Sequence, residues 1–147
     1  MQEISFSFEV RWADMDANRH MRHSAYNDYA AHLRMKLLTA IKLDLARLAE
    51  LNLGPVLFRE ETLFYRETGL GETISVDVKL QKARADASRW TFVHEFKKEN
   101  GKVAARITVD GAWMDLATRK LTALPEQYRQ SIFEIPQSDD FILEEHT

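Results

Sequence analysis

Apolar residues take every second position at the start of the chain: Ile4, Phe6, Phe8, Val10 and Trp12 alternate with Ser5, Ser7, Glu9, Arg11 and Ala13. A period of two with one apolar face predicts a half-buried strand. Further on, Tyr26, Tyr29, Ala30, Leu33, Leu37 and Ile41 recur at spacings of three and four. That is one face of a helix, predicted over about 24–40, with Ser24 placed as its N-cap and Asp28 as an acidic residue of its first turn. The period changes inside a polar loop that carries Asp14, Asp16, His20 and His23.

A second helical piece follows, with Asp44 as its cap and Leu45, Leu48 and Ala49 turned inward, until Asn52, Gly54 and Pro55 stop it. The sequence then turns to strands. Residues 56–66 are extended but irregular, and Gly69 and Gly71 mark a turn. Ile74, Val76, Val78 and Leu80 alternate with Ser75, Asp77, Lys79 and Gln81. Residues 82–87 make a polar connection. Trp90, Phe92, His94 and Phe96 share a face, Glu99-Asn100-Gly101 forms a hairpin turn, and Val103 to Trp113 alternate again. Pro125 starts a short helix through about Phe133.

The order of strand, long helix and four strands joined by short turns predicts an α+β fold with an antiparallel sheet that buries the helix face. With 147 residues, 45% of them hydrophobic, one domain with a real core is expected over 1–137, followed by a loose acidic tail at 138–147. A formal charge of −3 supplies no basic field for nucleic acid. The absence of cysteine removes disulfides, a thiol nucleophile and cysteine-based zinc sites. No basic-then-apolar leader and no run of ~20 apolar residues is present, so a cytoplasmic protein without a membrane span is expected.

The loop ahead of the helix is where chemistry concentrates. A carboxylate beside the positive end of a helix is placed to attack, or to activate water, where a carbonyl oxygen is polarised. Asp14 and Asp16 could equally end the strand and cap the helix, as Asp does in turns. His20 reads as a hydrogen-bonded positioning residue, and His94 as a satisfied core histidine beside Trp90 and Phe92. The Tyr26 and Tyr29 rings are read as core with hydroxyls free to reach polar partners, and Arg34 as a pairing residue. The loop's two acids and two histidines lack the further carboxylates of a metal site, so no metal is expected. Lys82, Arg84 and Arg89 form a basic cluster that could be a solvated turn or could hold phosphates.

The spacing Asp14-x-Asp16-x-x-x-His20-x-x-x-x-x-Tyr26-x-x-Tyr29-x-x-x-x-Arg34 resembles that of hot-dog-fold acyl-CoA thioesterases of the 4-hydroxybenzoyl-CoA thioesterase-like group. The strand at 56–66, Gly69-Leu-Gly71-Glu72, Trp113-x-Asp115 and Leu124-Pro125-Glu126 are similar to that family's later pattern, so the likeness covers roughly 4–133. The resemblance implies a sheet wrapped around the helix, subunits joined edge to edge as a homodimer or homotetramer, and sites at the interface. It implies Asp16 as nucleophile or general base and His23 as the position whose backbone N–H points at the thioester carbonyl. His20 would assist there. Tyr26, Arg59, Glu60, Lys82, Arg84 and Arg89 are the expected substrate contacts, with coenzyme A as part of an acyl-CoA or acyl-carrier substrate and no separate cofactor.

The chain departs from the family pattern at Arg19, where members often have Gly, and at Arg22 and His23, where asparagines are common. A helix glutamate is also replaced in the Ala31-His32 stretch. These departures keep open a non-catalytic acyl-thioester binding protein of the same fold and, further off, a dehydratase or hydratase.

Overall fold

In the computed structural model, which describes residues 2–145, β1 (Ile4–Glu9) alternates half-buried and exposed side chains as its sequence period requires. The strand stops earlier than the alternation suggested. Arg11 donates from its backbone N–H and from Nη2 to the two oxygens of Asp14, each at 2.9 Å, and the chain coils into a 3₁₀ turn at Trp12–Asp14. Trp12 is therefore not a strand residue but is 82% exposed.

Helix α1 (His23–Ala40) buries Ala25, Tyr26, Ala30, Leu33 and Leu37. Its start differs from the expectation in two respects. Arg22, not Ser24, is the N-cap residue, and it supplies no side-chain cap; Asp28 lies beyond the first turn and pairs with Arg22 at 3.3 Å. Helix α2 (Leu45–Leu51) is capped as expected: Arg47 N–H donates to Asp44 at 2.9 Å, and Asn52 closes the helix in the left-handed conformation.

Five strands in one continuous order and two that pair beside it make one sheet. After β2 (Leu53–Phe64) come β3 (Thr73–Arg84), β4 (Arg89–Lys98), β5 (Val103–Asp115) and β6 (Lys120–Thr122), then α3 (Glu126–Phe133) and β7 (Gln137–Glu144). The strand order is β1-β3-β4-β5-β2, with β6 on β5 and β7 on β3. Every pairing is antiparallel except β3 with β7, which is parallel. Two expectations are corrected here. The polar stretch at 82–87 is not all connection, because β3 runs on through Arg84. The segment from Ser138 is not loose: Lys82, Ala83 and Arg84 pair with Ile142, Leu143 and Glu144, beyond the end of β1 on the same edge of β3. Of the expected tail, 146–147 lie outside the described residues.

The core lies between the sheet and α1. Leu33, Leu37, Ile74, Val76, Val78, Leu80, Phe96, Ile107 and Val109 are fully buried in one cluster. Each such aliphatic side chain contributes about 1.5–3 kcal/mol by leaving water. Gly111 has a specific packing reason to be glycine, since a Cβ there would strike the Trp90 ring and come within 2.6 Å of the Val56 carbonyl oxygen. At the other end of the strand order, the outer edge of β2 is unpaired among the described residues, and Leu57, Phe58, Leu63 and Phe64 along it are exposed.

Candidate active site

The two loop aspartates divide their work by burial. Asp14 is 1% exposed and receives the Arg11 hydrogen bonds together with the Tyr29 hydroxyl, which donates to Oδ2 at 2.6 Å. Burial alone would raise its pKa, but these donors outweigh it and hold the carboxyl down at about 2. Tyr29 in turn stacks on Phe8 with ring centroids 3.6 Å apart. The Asp14 carbonyl accepts the Arg22 N–H at 2.7 Å, and Thr68 O accepts the Met21 N–H at 2.8 Å. Asp14 thus fixes both ends of the loop.

Asp16, two residues on, faces solvent. Its Oδ1 accepts the backbone N–H of Asn18 at 2.8 Å and of His20 at 3.1 Å, while its own N–H donates to His20 O at 2.9 Å. Oδ2 has no hydrogen-bond partner among the described residues. The turn that makes this possible puts Arg19 at φ 67°, a left-handed conformation that favours glycine. His20 does not bond the Asp16 carboxylate through its ring. Its Nε2 lies 3.0 Å from Glu67 Oε2, which ties the loop to the segment after β2.

Asp16, His20, His23, Tyr26, Phe64 and Lys98 line one open cavity of about 730 Å³. His23 is the first residue of α1, and no side chain caps the helix. The first amide N–H groups of a helix have no intrahelical partner, and with the helix dipole they form a ready site for negative charge. Arg22 adds its guanidinium at the same end, donating to Ser24 Oγ at 2.7 Å. Tyr26 is buried, its hydroxyl 2.8 Å from Thr68 Oγ1 and its ring 5.4 Å from that of Phe64. Burial pushes the Tyr26 phenol up.

The remaining expected contacts fall elsewhere on the chain. Arg59 is paired with Glu61 at 3.1 Å and with Asp110 at 3.2 Å, and Glu60 lies 3.9 Å from Arg34. Neither lines the Asp16 cavity of this chain. Lys82, Arg84 and Arg89 do come together, around a second cavity of about 350 Å³ that also takes in Phe58, Asp110 and Glu144. Glu144 pairs with Lys82 at 2.9 Å and Arg84 at 3.8 Å, while the Arg89 guanidinium lies 5.3 Å from the Phe58 ring centre. Thr68, Lys98 and Phe64 were not anticipated at the Asp16 cavity. They arrive there through the 65–72 connection, β4 and the end of β2, which no local spacing links to the loop.

Arg34 is a pairing residue, and its partner is His94. Arg34 Nη1 donates to His94 Nε2 at 2.9 Å, so Nδ1 carries the imidazole proton and donates to Asp77 O at 2.9 Å. His94 is fully buried, and burial, with the Arg34 charge beside it, lowers its pKa to about 3. Among the described residues no group of three or more His, Asp or Glu side chains is placed to hold a metal ion. No described helix is long and apolar enough to cross a membrane.

Solved structures share this architecture. A hypothetical protein from Staphylococcus aureus in complex with CoA superposes with a TM-score of 0.86 at 20% identity, over 93% of this chain and 87% of that one. A 1,4-dihydroxy-2-naphthoyl-CoA thioesterase from Synechocystis gives 0.80 at 18% identity, over 90% and 97% of the two chains. A DHNA-CoA thioesterase from Staphylococcus aureus gives 0.74 at 16% identity, over 84% and 82%. At these identities the likeness establishes the hot-dog fold. No protein of curated function matches the chain. The sequence profile of the thioesterase-like superfamily matches residues 10–132, and the chain belongs to that superfamily.

Proposed function

We propose that this protein hydrolyses acyl thioesters of coenzyme A, with Asp16 as the reacting carboxylate. The observation that carries the reading is the pairing of an exposed Asp16, held by two backbone N–H groups, with the uncapped start of α1 across one cavity. As general base, Asp16 takes a proton from water as the water oxygen bonds to the thioester carbon. As nucleophile, it forms that bond itself, and water later cleaves the anhydride. In both cases the negative charge on the carbonyl oxygen is met by the N–H groups at His23 and Ser24, the C–S bond breaks, and the thiolate leaves. His20 positions the loop, and Tyr26 forms a wall of the cavity. The CoA-bound Staphylococcus aureus relative supports CoA as the carrier.

The free edge of β2 supports assembly with a second copy. Apolar residues stand exposed along the strand, Leu57 and Phe58 at its middle and Leu63 and Phe64 at its end. Antiparallel pairing of two such edges centred on Glu61 sets Phe58 of each copy beside Phe64 of the other. That would bring the Lys82, Arg84 and Arg89 cavity of one copy toward the Asp16 cavity of its partner, where the basic groups could take the phosphates of coenzyme A. Arg59 and Glu60 would then lie at the interface. Release of free thiol from a panel of short, medium, long and aromatic acyl-CoAs tests the reading. Binding of these thioesters without release would identify a non-catalytic binding protein.

A further inference from the structure

The cavity lined by Lys82, Arg84 and Arg89 holds an anion of the chain's own. Glu144, from the C-terminal strand β7, lines the same cavity. Its Oε1 lies 2.9 Å from Lys82 Nζ and its Oε2 3.8 Å from Arg84 Nε. The Lys82 hydrogen bond, with the charges of Lys82, Arg84 and Arg89, outweighs burial and holds the Glu144 carboxyl below the usual carboxylate range. The other carboxylate of the cavity is engaged differently. Asp110 accepts the Thr91 hydroxyl at 2.7 Å and Arg59 Nη1 at 3.2 Å, and neither partner belongs to the basic trio.

The Glu144 backbone is tied down while its side chain is not. Glu144 pairs with Arg84 in the parallel β3–β7 ladder, and its carbonyl accepts the Ala85 N–H at 3.0 Å. Side-chain torsions alone therefore separate a carboxylate seated on Lys82 from one turned to solvent. The Lys82 and Glu144 side chains are 45% and 36% exposed, and an ion pair this open adds little to stability. It matters for binding instead, because an anion reaches Lys82 only by displacing Glu144. A second carboxylate would exchange like for like. A phosphomonoester carries between one and two negative charges and gains from the exchange.

We propose, on the basis of the coenzyme A reading above, that the Glu144 side chain is an internal competitor for the phosphate seat on Lys82 and Arg84. It fills the seat in the free protein and turns out when a phosphate of the nucleotide enters. Glu144 thereby sets the affinity of the cavity and restricts it to ligands that bring more negative charge than one carboxylate.

Calorimetric titration with adenosine 3′,5′-bisphosphate, the nucleotide part of coenzyme A without thiol or acyl group, reads the seat without turnover. The wild type is expected to bind it, and Glu144→Gln to bind it about three- to tenfold more tightly. Glutamine keeps the shape and the backbone pairing of Glu144, so the melting temperature should hold. Asp139→Asn is the control for net charge, since Asp139 is exposed on the same strand and does not line the cavity. It should leave the affinity unchanged. Lys82→Met should weaken binding and remove the difference between Glu144 and Gln at that position. Equal affinity of the wild type and Glu144→Gln would overturn the proposal and leave the phosphate reading of the cavity standing. A gain matched by Asp139→Asn, or one that survives Lys82→Met, would overturn it as well. Absence of bisphosphate binding in both proteins would remove the phosphate reading and the proposal together. Thiol release from acyl-CoAs is measured separately, so a failure there is told apart from each of these.

Discussion

Asp16 and His20 are bonded to each other twice: the Asp16 N–H donates to His20 O at 2.9 Å, and the His20 backbone N–H donates to the Asp16 side-chain Oδ1 at 3.1 Å. The reciprocal pair closes a tight loop and leaves Oδ2 without a hydrogen-bond partner among the described residues, on a side chain that lines the cavity. A carboxylate held in this way needs no histidine ring to orient it. The loop also requires a residue in left-handed conformation just before His20, which is the role of Arg19.

Arg19→Gly should therefore stabilise the protein. The φ of 67° suits glycine, and the Arg19 side chain is exposed. Relief of the left-handed strain, less the greater freedom of glycine in the unfolded chain, predicts a gain of about 0.5–1 kcal/mol. Urea denaturation measures it. A loss of stability would show that the Arg19 side chain contributes more than its backbone costs.

Tyr29→Phe should cost stability without disturbing the stack on Phe8. The variant removes the 2.6 Å donor to buried Asp14 but keeps the ring. Hydrogen bonds to charged groups are worth about 1.5–3 kcal/mol, and a drop of that size in denaturation free energy is expected. The Asp14 pKa should rise at the same time, because one of the donors opposing its burial is gone.

Buried His94 makes the fold sensitive to mild acid. Its native pKa is lowered to about 3 against an ordinary 6.5, so between these values the unfolded chain binds a proton that the native state does not. Stability is then fully present above pH 6.5 and falls as the pH drops toward 3, by up to about 1.4 kcal/mol per unit. Urea denaturation between pH 7.5 and 4.5 should show the decline before the carboxylates titrate. An NMR titration over the same range should leave the His94 ring signals unmoved. A His94 signal titrating near 6.5 would contradict the Arg34–His94–Asp77 arrangement.

What was legible in the sequence had local causes. Alternation at Ile4, Phe6 and Phe8, and the three-four spacing from Tyr26 to Ile41, report directly which side of an element meets the core. The Asp16 loop was legible because its acid, its histidine and the helix start lie within eight residues of chain. The cap was misplaced by two residues because the Arg22 carbonyl takes the Ala25 N–H, a backbone choice that favoured Ser24 chemistry does not govern. Strand β7 was missed because it is polar and largely exposed, with no period of two. Its pairing depends on the free length of β3 beyond β1. Arg59 and Glu60 were expected at an interface site from their place in the strand after the helices, and cross-strand register, which no local spacing reports, sets Arg59 opposite Asp110.

The most direct test of the account compares thiol release by the wild type and by Asp16→Asn across the acyl-CoA panel, with the melting temperature of each recorded. Asparagine retains an oxygen able to accept the Asn18 and His20 N–H groups, so the melting temperature should hold. Loss of the carboxylate should lower turnover by about 10²- to 10⁴-fold. Equal turnover in the two proteins would contradict the role given to Asp16.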